Sequence, residues 1–139
     1  MHVKKKLVIS GVAILSLLVL AAVCYSMPKT FGKNIDPSEV DHINVFDGNT
    51  GVAFLVEDPQ DIQYIVENVQ SHPMKRAGLS WGKMGYGFQI SYVDGRGQAI
   101  LPAFTLNSED AIRKDPFLYQ CDGGLCFAYL QDIEKRTVK

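Results

Sequence analysis

The chain has 139 residues, 47% of them hydrophobic, and its 14 lysines and arginines nearly balance 15 aspartates and glutamates. All 15 acidic residues but only 11 of the basic residues follow residue 26, so that part has a net charge of −4. This charge argues against nucleic acid as a partner, because phosphates demand a basic face. The roughly 105 residues beyond residue 35 are enough for one domain with a core and too few for two.

The N-terminal region contains an uncharged, almost wholly apolar stretch, residues 7–25, directly after Lys4, Lys5 and Lys6. A helix of that length would cover about 28 Å, close to the ~30 Å hydrocarbon core of a bilayer. It is also longer than the apolar part of a typical secretory signal. We therefore predict a membrane anchor in residues 1–27. The lysines predict a cytoplasmic N-terminus and a domain outside the cell membrane.

Two alternatives for this segment remain open. Cys24 ends the apolar stretch as a lipid-modified cysteine would, although Val23 stands where such a signal prefers a small residue. The small residues around Tyr25 would also suit a signal peptidase, which would release a secreted protein starting near Met27.

The next segments are a tether, residues 28–35, and a domain, residues 36–139. The domain opens with a helical turn in which Asp36 is the cap and Pro37 the first helical residue. A β-hairpin follows: Ile43 and Val45 begin its first strand, a turn rich in Asp, Gly and Asn reverses the chain, and residues 52–57 return.

The clearest helix of the domain begins after Asp58, a capping residue, and ends before Pro73. Its apolar residues recur at the spacing of one helix face, which must be buried. These residues are Ile62, Ile65, Val66 and Val69.

The residue pattern in the second half of the domain predicts strands followed by a helix. Alternating apolar residues in 86–92 predict a half-buried strand, residues 100–106 return antiparallel to it, and residues 117–120 are extended. A last helix buries one face. The predicted order β-β-α-β-β-β-α corresponds to an α+β domain with an antiparallel sheet of about five or six strands and two helices. The residues on the buried face of the last helix are Phe127, Leu130 and Ile133.

Several short motifs support these boundaries through a resemblance. They are DGNTG at 47–51, IVEN at 65–68, MGYGF at 84–88 and IRKDPF at 112–117. Together they resemble a group of small, membrane-anchored extracytoplasmic proteins of Gram-positive bacteria, over roughly residues 35 to 130. The group has no assigned activity, so the resemblance implies the fold and the domain boundaries and no catalytic residue.

The two cysteines of the domain, Cys121 and Cys126, flank a turn containing two glycines. On the oxidising side of a membrane, such a turn can bring their Cα atoms to disulfide distance. We predict a disulfide, with two separate small residues as the alternative. The pair does not predict a metal site, because it supplies two ligands and no nearby histidine completes the set.

Candidate catalytic residues are few. His42 follows Asp41 on a predicted strand, where neighbouring side chains point to opposite faces and do not pair easily. His72 ends the first domain helix, where a cation complements the helix dipole. The serines lack a nucleophile motif. The sequence therefore predicts no catalytic residue and no cofactor.

Two segments are candidates for a recognition surface. The glycine-rich segment 78–87 holds aromatic and other large side chains that suit a partner-binding loop. A second candidate in residues 113–115 has charges that suit a phosphate or a carboxylate. The alternative for the first segment is a glycine-rich lead-in to a hairpin, with its tryptophan folded back onto the sheet. The alternative for the second is a solvated or internally paired turn. The candidate residues are Trp81, Lys83, Met84, Tyr86, Arg113 and Lys114.

We interpret the chain as a non-enzymatic binding or interaction module of the cell envelope, with an envelope protein or a glycan as its partner. The alternative is a small extracytoplasmic hydrolase or cell-wall enzyme whose site has no recognisable motif, and a structural or inhibitor-like domain is the third hypothesis. A convergent polar pocket would favour an enzyme, whereas an exposed aromatic patch would favour binding.

Overall fold

The computed structural model describes residues 2–81 and 86–139. Its first element is the helix α1, His2–Ser26, which contains the predicted apolar stretch. None of its residues is buried against the rest of the protein. The helix is long and apolar enough to cross a membrane, and a signal sequence shares those two properties.

The segment predicted as a tether packs against the domain instead. The main chain of Lys29 exchanges two hydrogen bonds with that of Met74, at 2.7 and 2.8 Å. Two residues later, Phe31 is buried among core side chains and contacts the rings of Phe104 and Tyr119. The core of the domain thus includes a residue of this segment, because the Phe31 ring packs among the core side chains.

A short 3₁₀ helix and two α-helices complete the helical elements. The 3₁₀ helix is Pro37–Glu39, and Asp36 caps it as predicted by accepting a hydrogen bond from the backbone N–H of Ser38. The α-helices are α2, Pro59–Gln70, and α3, Phe127–Thr137. Asp58 caps α2 in the same way through Gln60.

The strands form one antiparallel sheet in the order β2-β1-β4-β5-β6-β7-β3. The predicted α+β class is therefore confirmed, with more strands than the five or six expected. The strands are β1 His42–Asp47, β2 Val52–Val56, β3 Lys75–Leu79, β4 Phe88–Val93, β5 Phe104–Leu106, β6 Ala111–Lys114 and β7 Phe117–Gln120.

Two of these strands, β3 and β6, were not predicted. β3 is an edge strand without a fully buried side chain, and β6 buries only Ile112, so neither has an apolar alternation. The expected return strand, residues 100–106, is shortened to β5, because Pro102 has no N–H to donate to a neighbouring strand.

The core lies between one face of the sheet and the helices α2 and α3. All four predicted apolar residues of α2 are buried, as are Leu130 and Ile133 of α3. The two helices also contact each other, since the Tyr129 hydroxyl donates a hydrogen bond of 2.5 Å to Asp61. The opposite face of the sheet carries neither α2 nor α3. The outward side chains of the central strands lie next to one another on that face.

Candidate functional site: the uncovered face of the sheet

The uncovered face is formed by the side chains that alternate with the core residues along the central strands. In β1, Ile43 and Val45 point into the core and Phe46 points outward, where 44% of it is exposed. In β4, Phe88 and Ile90 are buried and Gln89 is exposed. This alternation follows from strand geometry, in which successive side chains point to opposite faces.

Strand register brings four outward side chains into one row across the sheet. Phe46 is paired with Gln89, Gln89 with Thr105, and Thr105 with Arg113. Side chains of directly paired residues are neighbours on the same face. The row therefore joins an aromatic ring, an amide, a hydroxyl and a guanidinium group that are far apart in the sequence.

A groove of about 360 Å³ follows this row, and Tyr86, Ala103 and Asp115 are among its other lining residues. A second groove, of about 380 Å³, lies towards β2 and includes Leu55. Phe46, Gln89 and Ala103 line both grooves. The two grooves therefore form one depression, polar and charged at the β6 end and apolar at the β2 end.

An ion pair fixes the charged end of this depression. The Arg113 Nε donates a hydrogen bond of 2.8 Å to Asp115 Oδ1, and the buried hydroxyl of Ser80 donates one of 2.6 Å to the same oxygen. The hydrogen bond from Arg113, and to a smaller extent the one from Ser80, lowers the pKa of the Asp115 carboxyl below its ordinary value. The same hydrogen bond raises the pKa of Arg113, so both groups stay charged at neutral pH.

Lys114 is oriented by a separate contact, because its Nζ donates a hydrogen bond of 2.9 Å to the main-chain carbonyl of Ala103. The alternative for residues 113–115 was a solvated or internally paired turn, and the pairing is present between Arg113 and Asp115, but Arg113 and Lys114 do not lie in a turn. They belong instead to β6, and the chain reverses just after them.

Three of the six predicted surface residues lie together at this groove: Tyr86, Arg113 and Lys114. Tyr86 is 57% exposed, and Trp81, at 76%, is exposed as well but is not among the described lining residues. Lys83 and Met84 lie outside the described residues.

Phe46 and Gln89 were not predicted as site residues. The signal for Phe46 was present in the sequence, because the inward positions Ile43 and Val45 require that Phe46 face outward. A large aromatic side chain on an outward position marks a surface of interest. Gln89 has no such signal, since polar residues are ordinary at outward strand positions.

The predicted disulfide is absent, since both Cys121 and Cys126 are free thiols. Cys126 is buried at the start of α3, and burial raises its pKa to about 12. Cys121 is half-buried at the end of β7, with its Sγ 3.8 Å from the carbonyl oxygen of Gly123. The intervening turn, in which Gly123 and Gly124 have positive φ, places the two side chains in different surroundings.

The histidines of the domain lie away from the groove. His42 Nδ1 is 2.8 Å from Asp41 Oδ2, so the prediction that these neighbours do not pair is wrong. The reason is that Asp41 precedes β1 and escapes the strand alternation. His72 lies just beyond α2, as predicted, with Nδ1 2.6 Å from the carbonyl oxygen of Asn68. Within residues 2–81 and 86–139, no cluster of three or more His, Cys, Asp or Glu side chains is suited to a metal ion.

The chemistry that this depression offers is recognition through rings, amides, hydroxyls and charges. Its described lining contains no histidine or cysteine. The hydroxyl of Ser80, beside the groove, is already engaged by Asp115. The exposed aromatic and charged groups of this arrangement are of the types that contact protein partners.

Comparison with protein-family models, curated proteins and solved structures gives no match to this chain. The resemblance to membrane-anchored proteins of Gram-positive bacteria therefore stays a prediction.

Proposed function

We propose that this protein is a non-enzymatic binding module, anchored in the cell membrane by α1, that holds another protein of the cell envelope against the uncovered face of its sheet. The depression between Phe46, Tyr86 and Arg113 carries this proposal. Aromatic residues and arginine are the side chains that dominate the binding energy of protein-protein interfaces, and here they are exposed next to each other.

The charged end of the depression supports the proposal because it is preorganised. Arg113 is held by Asp115, which is held in turn by Ser80, so little side-chain freedom is lost when a partner binds. The apolar end supplies Phe46 and Leu55, both exposed large hydrophobic residues. The partner that fits has an apolar patch beside polar groups able to contact a charged rim.

The anchor and the charge distribution support an extracytoplasmic position. Lys4, Lys5 and Lys6 precede the apolar stretch of α1, and such clusters stay on the cytoplasmic side of the membrane. The domain after α1 then faces the envelope, where its partner would be found.

Photocrosslinking in cells tests this function. A photoreactive phenylalanine analogue replaces Phe46 in the full chain, and the matched control carries it at Gln63, an exposed position on α2. We expect a discrete crosslinked protein from position 46 alone, and we expect Arg113→Glu to remove it while the protein remains folded.

Three outcomes would contradict the proposal. They are equal crosslinking from both positions, a crosslink to glycan only, and a position-46 crosslink that survives Arg113→Glu in folded protein. The last result would show that the contact does not depend on the depression.

A further inference from the structure

A second exposed apolar surface lies at the end of β3. Leu79, the last residue of β3, is 49% exposed, and Trp81 is 76% exposed. A contiguous patch of large apolar side chains on the surface, unlike a single one, marks contact with another phase or another molecule. The position of Leu79 and Trp81 relative to α1 indicates that the contact is with a bilayer.

The chain enters the domain antiparallel to the beginning of β3. Lys29 forms an antiparallel bridge with Met74, the residue before β3. Two residues later, the Arg76 guanidinium donates hydrogen bonds to the carbonyls of Tyr25 and Cys24, at 3.0 and 3.2 Å. β3 therefore runs from Met74 towards the C-terminal end of α1.

The apolar surface of α1 continues directly onto this part of the domain. The ring of Tyr25 makes an edge contact with the ring of Phe117, with centroids 5.9 Å apart. Phe117 is paired with Leu79 in the sheet, so the two side chains are neighbours on one face. Tyr25, Phe117 and Leu79 thus form a continuous apolar strip from the helix to the sheet edge.

The backbone between Leu79 and Trp81 is held in place. Ser80 is buried, its N–H donates a hydrogen bond of 2.8 Å to the carbonyl of Pro116, and its hydroxyl binds Asp115. The backbone position from which Trp81 follows is consequently held by the neighbouring segment 115–116.

We propose that Leu79 and Trp81 contact the bilayer that α1 spans, with the Trp81 ring in the headgroup region of the leaflet on the domain's side. Tryptophan favours this region because its ring is apolar and its N–H is polar. The guanidinium of Arg76, in β3 beside the last turn of α1, lies where a cation can meet lipid phosphates. The contact orients the domain on the membrane and leaves the depression for a protein partner. The inference depends on the part of the proposed function that makes α1 a membrane span.

The test uses the fluorescence of Trp81, which is the only tryptophan in the chain. The full chain is reconstituted into vesicles of phosphatidylcholine and phosphatidylglycerol, some of which carry bromine on the acyl chains near the headgroups. We expect the emission of the full chain to be quenched in vesicles with the brominated lipid and to keep its intensity in vesicles of the same composition without bromine.

A matched control moves the tryptophan to the other edge strand, β2, by combining Trp81→Phe with Leu55→Trp. Leu55 is exposed to a similar degree as Leu79. Six inter-strand spacings of ~4.8 Å separate the two edges, roughly 29 Å. We expect little quenching at position 55. Equal quenching at both positions, or none at Trp81, would overturn the proposal.

Flotation of the vesicles separates this inference from the proposed anchoring. Protein that fails to float with the vesicles refutes α1 as a span and, with it, the bilayer contact. Protein that floats while Trp81 stays unquenched refutes the bilayer contact alone.

Discussion

The Arg76 guanidinium donates a hydrogen bond of 3.0 Å to the main-chain carbonyl of Tyr25, in the last turn of α1. It also lies over the rings of Tyr25, Phe117 and Tyr119. One side chain thereby satisfies a carbonyl that has no partner within the helix and joins α1 to the sheet.

We expect Arg76→Ala to destabilise the domain by about 1 to 2 kcal/mol, from the loss of partly desolvated cation–π contacts. Urea unfolding of the full chain in detergent measures the change. Arg96→Ala is the control, because Arg96 is exposed in the turn after β4. Equal losses for the two variants would show that Arg76 has no special role at the junction.

Val66 in α2 is completely buried in the core. Val66→Asp should therefore cost about 3 to 5 kcal/mol, because it places an unpaired charge in the interior. Thermal melting followed by circular dichroism measures this cost, with Gln63→Ala on the exposed face of α2 as the control. An unchanged melting temperature for Val66→Asp would refute the placement of α2.

Gly87 lies where β4 begins, against the neighbouring β5. A Cβ atom there would come within 2.3 Å of the Leu106 carbonyl oxygen, whereas a Cβ at Gly95 meets nothing within 4 Å. We expect Gly87→Ala to destabilise by about 1 to 3 kcal/mol, and Gly95→Ala to be near neutral. Denaturant unfolding compares them, and a Gly87→Ala protein as stable as the parent would contradict the close packing of β4 and β5.

The two domain thiols should react differently with iodoacetamide without prior reduction. Burial raises the pKa of Cys126 to about 12, so at pH 8 it is a thiol and reacts slowly, while the half-buried Cys121 reacts first. In denaturant both should react alike. Mass spectrometry of the labelled peptides measures the rates, and a domain whose thiols react only after reduction would contain the disulfide after all.

The same pKa shift predicts a pH dependence of stability. The unfolded chain loses the Cys126 proton near its ordinary pKa of 9.0, whereas the folded chain holds it until about 12. The contribution of the Cys126 thiol to the free energy of unfolding is therefore complete below about pH 9. It is lost as the pH rises towards 12, because the unfolded chain releases the proton first. Cys126→Ala should flatten that part of the unfolding curve, and an unchanged alkaline slope would argue against Cys126 as its source.

Membrane topology gives a further prediction. A protease added to intact cells should remove a C-terminal tag, because the lysines before α1 favour a cytoplasmic N-terminus. The control places the tag at the N-terminus, where only lysed cells should allow cleavage. Protection of the C-terminal tag in intact cells would refute the proposed orientation.

Local signals were sufficient to predict several elements of this fold. Asp58 and Pro59 begin α2 because a carboxylate cap and a fixed φ act within one turn of the helix. The spacing of Ile62 to Val69 identifies its buried face, since helical periodicity is written in neighbouring residues. The apolar composition of residues 7–25 likewise predicts α1 without reference to the rest of the chain.

The candidate site could be predicted only in part. Tyr86, Arg113 and Lys114 stood out by residue type, but their meeting with Phe46 depends on the pairing of β1, β4, β5 and β6. Register between strands is a property of residues that are distant in the chain, and no short motif encodes it.

The sequence by itself determined where the apolar helix, α2 and the first hairpin lie, because capping, periodicity and turn composition act over a few residues. Tertiary structure decided the rest. β3 and β6 become strands because neighbouring strands supply their hydrogen bonds. Phe31, in the segment expected to be a tether, packs its ring in the core. The turn after β7 separates Cys121 from Cys126. In each case the free energy comes from contacts between residues far apart in the chain, which local patterns do not record.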